Sequence, residues 1–209
     1  MEQEFLPLFP LNVVLFPRTP LPLHIFEDRY KEMIGAAIES HEEFGVVLAG
    51  DKGIVNTGCT AVIEKVLKTY DDGRMDVVAV GRRRFEILML NDEKSYLRGA
   101  VEFFDDDDEN PIPPGVKERV MEGYDDLCQI EPPEPLLDPE LADPQLSFQL
   151  AQALTDLNFR QTLLATRSES ERMKRLADFL PSFNSRQRQI AHVKAVAPNN
   201  GHGKWPPIL

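Results

Sequence analysis

The chain has 209 residues, 42% hydrophobic and 28% charged, a balance that excludes bulk disorder and a fibrous repeat. Lys and Arg total 23 against 35 Asp and Glu, a net charge of -12 with a pI near 4.8, so the surface as a whole opposes nucleic-acid backbones and acidic phospholipid alike. Cys59 and Cys128 are the only cysteines, too few for a disulfide framework and without the paired spacing of a structural zinc site.

The opening MEQEFLPLFPLNVVLF carries Glu2 and Glu4 at its front and Pro7 and Pro10 inside, with no basic region and no small-residue cleavage site, so no secretory signal is expected. No run of about 20 apolar residues follows anywhere, which leaves no lipid-spanning helix and predicts a protein of the reducing cytoplasm.

Short apolar or alternating runs at 5–9, 13–16, 21–26, 44–49, 59–69, 75–90 and 96–104 have strand lengths and are bounded by Pro, Gly and Asp turns. Asp71-Asp72-Gly73 predicts a hairpin that pairs roughly 61–70 with 74–79, because glycine tolerates positive φ there and Asp tolerates it better than most. One helix interrupts the strands. In EDRYKEMIGAAIES, Tyr30, Met33, Ile34, Ala37 and Ile38 recur at three- and four-residue spacing behind an acidic first turn.

Charge and proline then divide the chain. Residues 1–101 carry -4, residues 102–158 carry -14 and residues 159–209 carry +6. The acidic run 105–109 and the following NPIPPG cannot continue a sheet ladder and predict a solvated linker at a domain boundary. The proline-acid stretch 131–144 predicts a surface loop.

Beyond Gly115 the period becomes helical: Val116, Val120, Tyr124, Leu127 and Cys128, then Phe148, Ala151, Leu154 and Leu157. Asn158 is placed to cap a short helix FRQTLLA, and Ser168 with Glu171 to form a capping box before ERMKRLADFL. Pro181 should end or bend that helix, with 185–197 continuing as a last basic helix. The domains expected are therefore a β domain over 1–110, a helical subdomain over 111–197 and an irregular tail over 198–209.

Catalytic signatures are missing. AGDKGIVNTG lacks dinucleotide spacing and the Walker lysine, so Gly53 and Gly58 are read as turn residues. His24, His41, His192 and His202 have no histidine at i+4, and HEEF at 41 lacks the second histidine of a zinc peptidase. No G-x-S-x-G occurs, and both cysteines fall in apolar runs that predict buried, inert thiols. No catalytic, cofactor-binding or metal-ligating residue is assigned, and no cofactor is expected. Alternation on a strand should point Arg82 and Arg84 one way and Arg83 the other, each supported by nearby carboxylates. Arg172, Lys174, Arg175, Arg186, Arg188 and Lys194 form a stronger basic patch, which either contacts nucleic acid or offsets the acidic middle of the chain.

Particular strings then carry a resemblance. FLPLFPLNVVLFPRTPLPLHIFEDRYKEMI, EFGVVLAGDKGIVNTGCTAVIEKVLKTYDDGRMDVVAVGRRRFEI and YLRGAVEFF resemble the amino-terminal, substrate-recognition domain of the Lon protease family in its stand-alone form, and LLATRSESERMKRLADFL resembles its helical part. Leu8, Phe9, Pro10, Leu11, Phe16 and Pro17 match the PLFPL and FP elements; Pro22, Leu23, Ile25, Phe26, Glu27, Arg29 and Tyr30 match P-L-x-I-F-E-x-R-Y. Gly58, Thr60, Ala61, Asp72, Gly73, Arg74, Gly81, Arg84 and Phe85 match the later glycine, D-G-R and R-F positions. Arg18-Thr19 departs from the glycine that many relatives carry after the FP pair.

The resemblance implies an α+β fold: a mainly antiparallel, PUA-like β pseudo-barrel with one inserted helix, followed by a C-terminal helical bundle. It also implies a non-catalytic module that binds unfolded or extended protein segments, without the ATPase and peptidase domains that do the work in full-length relatives. Residues 11–16 and the 18–21 loop are candidate contacts, and Trp205 a candidate anchor. Glu27 and Arg29 are expected to tie helix and sheet through a buried pair. The alternative is a nucleic-acid-binding accessory protein using the basic C-terminal helices.

Overall fold

A computed structural model describes residues 5–50, 53–132 and 138–196. The candidate anchor Trp205, His202, the whole of the expected tail over 198–209 and part of the proline-acid loop lie outside these residues.

Two compact units divide the chain: one runs to Glu109 and takes in Leu154–Ser168, the other comprises Asn110–Ala153 and the chain from Glu169 onward. The first unit holds six strands, β1 (Leu6–Leu11), β2 (Pro20–Ile25), β3 (Phe44–Gly50), β4 (Gly53–Thr69), β5 (Met75–Asn91) and β6 (Arg98–Phe104), with helix α1 (Asp28–Ser40) between β2 and β3. They form one sheet in the order β2-β5-β4-β3-β1-β6, and β6 pairs with β5 as well.

The expected pseudo-barrel is corrected here. The sheet is mixed, because β1 runs parallel to β3 (Leu8 beside Gly45, Leu11 beside Leu48) after the chain has crossed through β2 and α1. Strand β2 pairs with β5 alone, from Pro20 opposite Val80 to Ile25 opposite Met75, so the sheet keeps a free edge at β2. Pro20 and Pro22 give the physical reason: without an N–H they leave β2 two donors short, which suits a strand with one neighbour.

Asp71-Asp72-Gly73 joins the two 17-residue strands as the spacing predicts, with Gly73 at φ 81° and Thr69 opposite Met75. Register shifts between Cys59 and Ala61, Ile63 and Lys65, and Val66 and Lys68 twist this pair. The shift near Cys59 also breaks the alternation expected at 82–84. Arg82 and Arg83 are both exposed, whereas Arg84 and Phe85 are both buried.

Helix α1 buries Tyr30, Met33, Ile34 and Ala37, and the Tyr30 ring lies 4.2 Å from Phe9 of β1. Leu8, Val47 and Phe85 form a second knot of core. Gly58 is not the turn residue expected; it lies mid-strand under Phe85, where an added Cβ would come within 2.5 Å of the ring and 2.6 Å of the Val46 oxygen. Gly81 is likewise crossed by the loop after β1, exchanging backbone hydrogen bonds with Arg18 and Thr19 at 2.8 and 3.0 Å. Arg18 holds φ 61°, the left-handed region that favours glycine, at the position where this sequence departs from its relatives.

Helix α4 (Leu157–Ala165) belongs to this same unit. Asp156, not Asn158, caps it by accepting from the Phe159 amide at 2.9 Å. Arg160 donates to the Val14 oxygen and Gln161 to the Thr57 oxygen, at 2.8 and 2.9 Å, which holds α4 to the strands.

The second unit consists of helices α2 (Val116–Ile130), α3 (Leu146–Ala151) and α5 (Glu169–Val196). Pro181 does not end α5, which runs through it for 28 residues. Packing on both sides of the proline sustains the helix: Leu176, Leu180 and Phe183 are buried, Asn184 donates to the Gly123 oxygen at 2.8 Å, and Gly123 lets α2 approach Leu180 closely. Arg188 reaches Asp126 further along, so the two helices run side by side in the same direction.

Candidate functional site

Residues 11–16, with the 18–21 loop, were the sequence-based candidates for contact. Val14, Leu15 and Phe16 prove to be core, and the Thr19 hydroxyl donates inward to the Phe16 oxygen at 2.8 Å. Exposed apolar surface lies elsewhere on the sheet unit. Leu88, Met89 and Leu90, consecutive on β5, are 65%, 48% and 48% exposed.

Their exposure has a geometric cause. Strand β4 accompanies β5 only as far as Thr57 opposite Glu86, then continues along β3, where Ile54 faces Ala49. Strand β5 carries on with β6 alone, to Asn91 opposite Arg98, with a register shift between Ile87 and Met89. Beyond Glu86 one side of β5 therefore has no strand beside it among the described residues. Ile54, Ile87, Leu97 and Leu6 pack half-buried against the core knot there, making the margin of this end apolar.

The other free strand margins differ; that of β6 past Gly99, where β1 stops, carries the charged Glu102 and ends on the buried Phe104. Strand β2 carries its two prolines. The far half of β4, past Ala61 where β3 stops, carries two register shifts with Lys65 and Lys68. Prolines, lysines and bulges are the devices that blunt a strand edge; residues 87–91 of β5 contain no proline and no charge.

At the hairpin end, His24 Nδ1 lies 2.6 Å from one Asp76 oxygen, and the Tyr70 hydroxyl donates to the other at 2.8 Å. These hydrogen bonds, His24 first, hold the Asp76 carboxyl below the usual carboxylate range. Phe26 stacks on His24 at 6.0 Å, and Lys68 and Arg74 sit over the Tyr70 ring at 4.3 and 4.9 Å. An imidazole and a phenol share one carboxylate, which supports the hairpin.

Several of the basic residues singled out from sequence are matched with acids, whereas Arg186 lies over the Phe179 and Phe183 rings at 6.0 and 5.9 Å. Arg83 pairs with Glu43 at 3.0 Å, Arg84 with Asp106 at 2.6 Å, Arg172 with Glu169 at 2.8 Å, Arg175 with Glu171 at 3.1 Å and Arg188 with Asp126 at 2.6 Å. Within the C-terminal patch, Arg172, Arg175 and Arg188 thus each offset a carboxylate. The expected buried pair of Glu27 and Arg29 is corrected: the side chains meet at 2.7 Å, but they are 42% and 50% exposed and only two residues apart.

The acidic run is likewise more than a linker. Asp106 receives the buried Arg84, Asp108 accepts from the Ser168 hydroxyl at 3.1 Å, and the Asp107 amide donates to the Arg167 oxygen at 2.8 Å. Five consecutive acids carry no signal of which one will be buried.

Cys59 is buried, and burial pushes its thiol up to about 12. No group of three His, Cys, Asp or Glu side chains among the described residues could hold a metal ion. No helix among them is long and apolar enough to cross a membrane.

Comparison with known proteins agrees with the architecture. Residues 5–183 match the family described as the ATP-dependent protease La (LON) substrate-binding domain. The chain is 32% identical over 112 residues to the Lon protease of Parabacteroides distasonis, covering 49% of this chain and 14% of that one. It is 25% identical over 202 residues to Lon protease 1 of Hydrogenovibrio crunogenus, covering 88% of this chain and 25% of that one. It thus spans a quarter or less of the length of these relatives. The crystal structure of a Lon N-terminal domain protein from Xanthomonas campestris shares the fold, with a TM-score of 0.66 at 24% identity over 84% of this chain and 98% of that one. The chain belongs to the family of Lon substrate-binding domains, the non-catalytic part of that protease.

Proposed function

We propose that this protein binds unfolded or extended segments of other proteins in the cytoplasm and by itself hydrolyses neither ATP nor peptide bonds. The observation that carries this reading is the run Leu88-Met89-Leu90, apolar and exposed at the end of β5 beside the half-buried Ile87. Consecutive exposed apolar side chains cost solubility in a free domain and mark interaction surface. Folded proteins bury such groups in their own cores, whereas unfolded chains present them. The unpaired thiols Cys59 and Cys128 suit a reducing compartment.

Anisotropy titration of a labelled, chemically unfolded protein and of its native form, at two salt concentrations, tests the reading. The unfolded form should bind more tightly and with little salt dependence, since apolar contact releases no condensed counterions. Tight, steeply salt-dependent binding of labelled RNA with no binding of the unfolded protein would overturn it. ATP hydrolysis that co-purifies with the folded chain would overturn the non-catalytic part.

A further inference from the structure

Residues 87–91 of β5 combine three properties found together at no other strand margin among the described residues. One hydrogen-bonding side of the backbone has no neighbour, because β4 leaves at Thr57. Three consecutive side chains there are apolar and exposed. None of the blunting devices of the β2 and β4 margins is present: no proline, no lysine, and the single register shift lies in the pairing to β6. A row of open amide and carbonyl groups is best covered by another backbone, and apolar side chains by apolar side chains.

Resting on the reading of peptide recognition above, we propose that this margin captures a short, extended, proline-free apolar segment of an unfolded polypeptide as an added strand beside β5. Five residues of strand span roughly 17 Å, so the bound stretch is about five residues long. Main-chain hydrogen bonds supply affinity that is indifferent to exact sequence, while Leu88, Met89 and Leu90 select apolar side chains at alternate positions. A module that must accept many unfolded chains needs this division. A second copy of the chain is the poorer occupant, since two bodies of net charge -12 repel, whereas an unfolded segment need carry no acid.

The test uses the full chain and a fluorescein-labelled peptide, Lys-Val-Leu-Val-Leu-Val-Lys, with two partners N-methylated on the odd or on the even internal amides. Methylation removes donors while keeping every side chain. Strand addition uses the amides of one parity, so one methylated peptide should bind about tenfold or more weakly and the other within about twofold of the parent. Met89→Lys should weaken the parent peptide by a similar factor, and Val66→Lys on the blunted margin of β4 should not; both sites are exposed, and a thermal melt checks that the fold is kept. If both methylated peptides bind like the parent, or if Val66→Lys abolishes binding and Met89→Lys does not, strand addition at β5 is overturned while peptide recognition stands. If no short peptide binds although the unfolded protein does, the margin is likewise overturned. Loss of both kinds of binding defeats the functional reading as well. A dimer in sedimentation that Leu88→Lys dissociates and the peptide does not compete with would assign the margin to a second copy instead.

Discussion

Arg84 in the sheet unit and Arg172 in the helical unit are both almost wholly buried, yet they act over different lengths of chain. Arg84 donates to Asp106, 22 residues on, and to the carbonyl oxygens of Leu164 and Thr166, 80 and 82 residues on. Arg172 donates to Glu169, three residues back on its own helix, and to the Ser147 hydroxyl. The first joins segments that no local preference would bring together, and so helps bind the 154–168 excursion to the sheet. The second reinforces a helix and one neighbour whose apolar packing already holds. The contrast lies in reach: Arg84 spans 80 and 82 residues to α4 and its end, and Arg172 spans 25 to Ser147.

The largest effect is expected from Arg84→Ala. It removes the guanidinium from Asp106 and from two main-chain oxygens, a loss of about 3–5 kcal/mol by denaturant unfolding, and it should raise hydrogen exchange in α4 and at 105–108. Unchanged exchange in α4 would break the comparison, because the long-range joint would then be held by something else.

Arg172→Ala should cost less, about 1–3 kcal/mol. Its partner Glu169 is held above the ordinary carboxylate range by burial, in spite of hydrogen bonds from Ser147 and Arg172, and can take up a proton when the arginine is lost. Increased exchange should stay within α3 and α5. A loss equal to that at Arg84 would show that partner distance is not what separates the two.

The same residue sharpens the comparison through pH. A carboxyl whose pKa is raised on folding binds its proton more tightly in the folded state, so its contribution is whole below the unfolded value near 4.5 and is lost as pH rises through the folded value. Glu169→Gln should therefore flatten the pH dependence of α5 protection above about pH 4.5, as read by hydrogen exchange corrected for intrinsic rates. A parallel profile in the variant would sink this assignment.

Arg29→Ala supplies the small end of the scale. Its pair with Glu27 is exposed, so the change should cost about 0–1 kcal/mol in thermal or urea unfolding. A loss as large as that of Arg84→Ala would mean that exposure is a poor guide to which pairs matter here.

Much of the local structure was legible in the residues. The stripe of Tyr30, Met33, Ile34 and Ala37 announced α1, and Asp71-Asp72-Gly73 announced the hairpin, because each signal lies within a few positions of the structure it specifies. The candidate contact surface was not legible. Within 75–90, Val77, Ala79 and Phe85 are core whereas the equally apolar Leu88, Met89 and Leu90 are exposed; the difference is where β4 leaves, which nothing inside β5 encodes. Asp106 was indistinguishable from its acidic neighbours until Arg84 was seen to reach it, and Pro181 signalled a break that packing against α2 overrode.

Composition, charge segregation, strand and helix periods, the glycine turn and the family resemblance were determined by the sequence itself, since all of them depend on residue type and short-range spacing. The parallel pairing of β1 with β3, the edge position of β2, the return of 154–168 to the sheet, the partners of Arg84 and the open margin of β5 were decided by tertiary structure. These depend on which backbone groups meet across tens of residues. That is settled by mutual satisfaction of hydrogen bonds, buried charge and packed volume over the whole unit, and a neighbour's early departure leaves no mark on the strand it exposes.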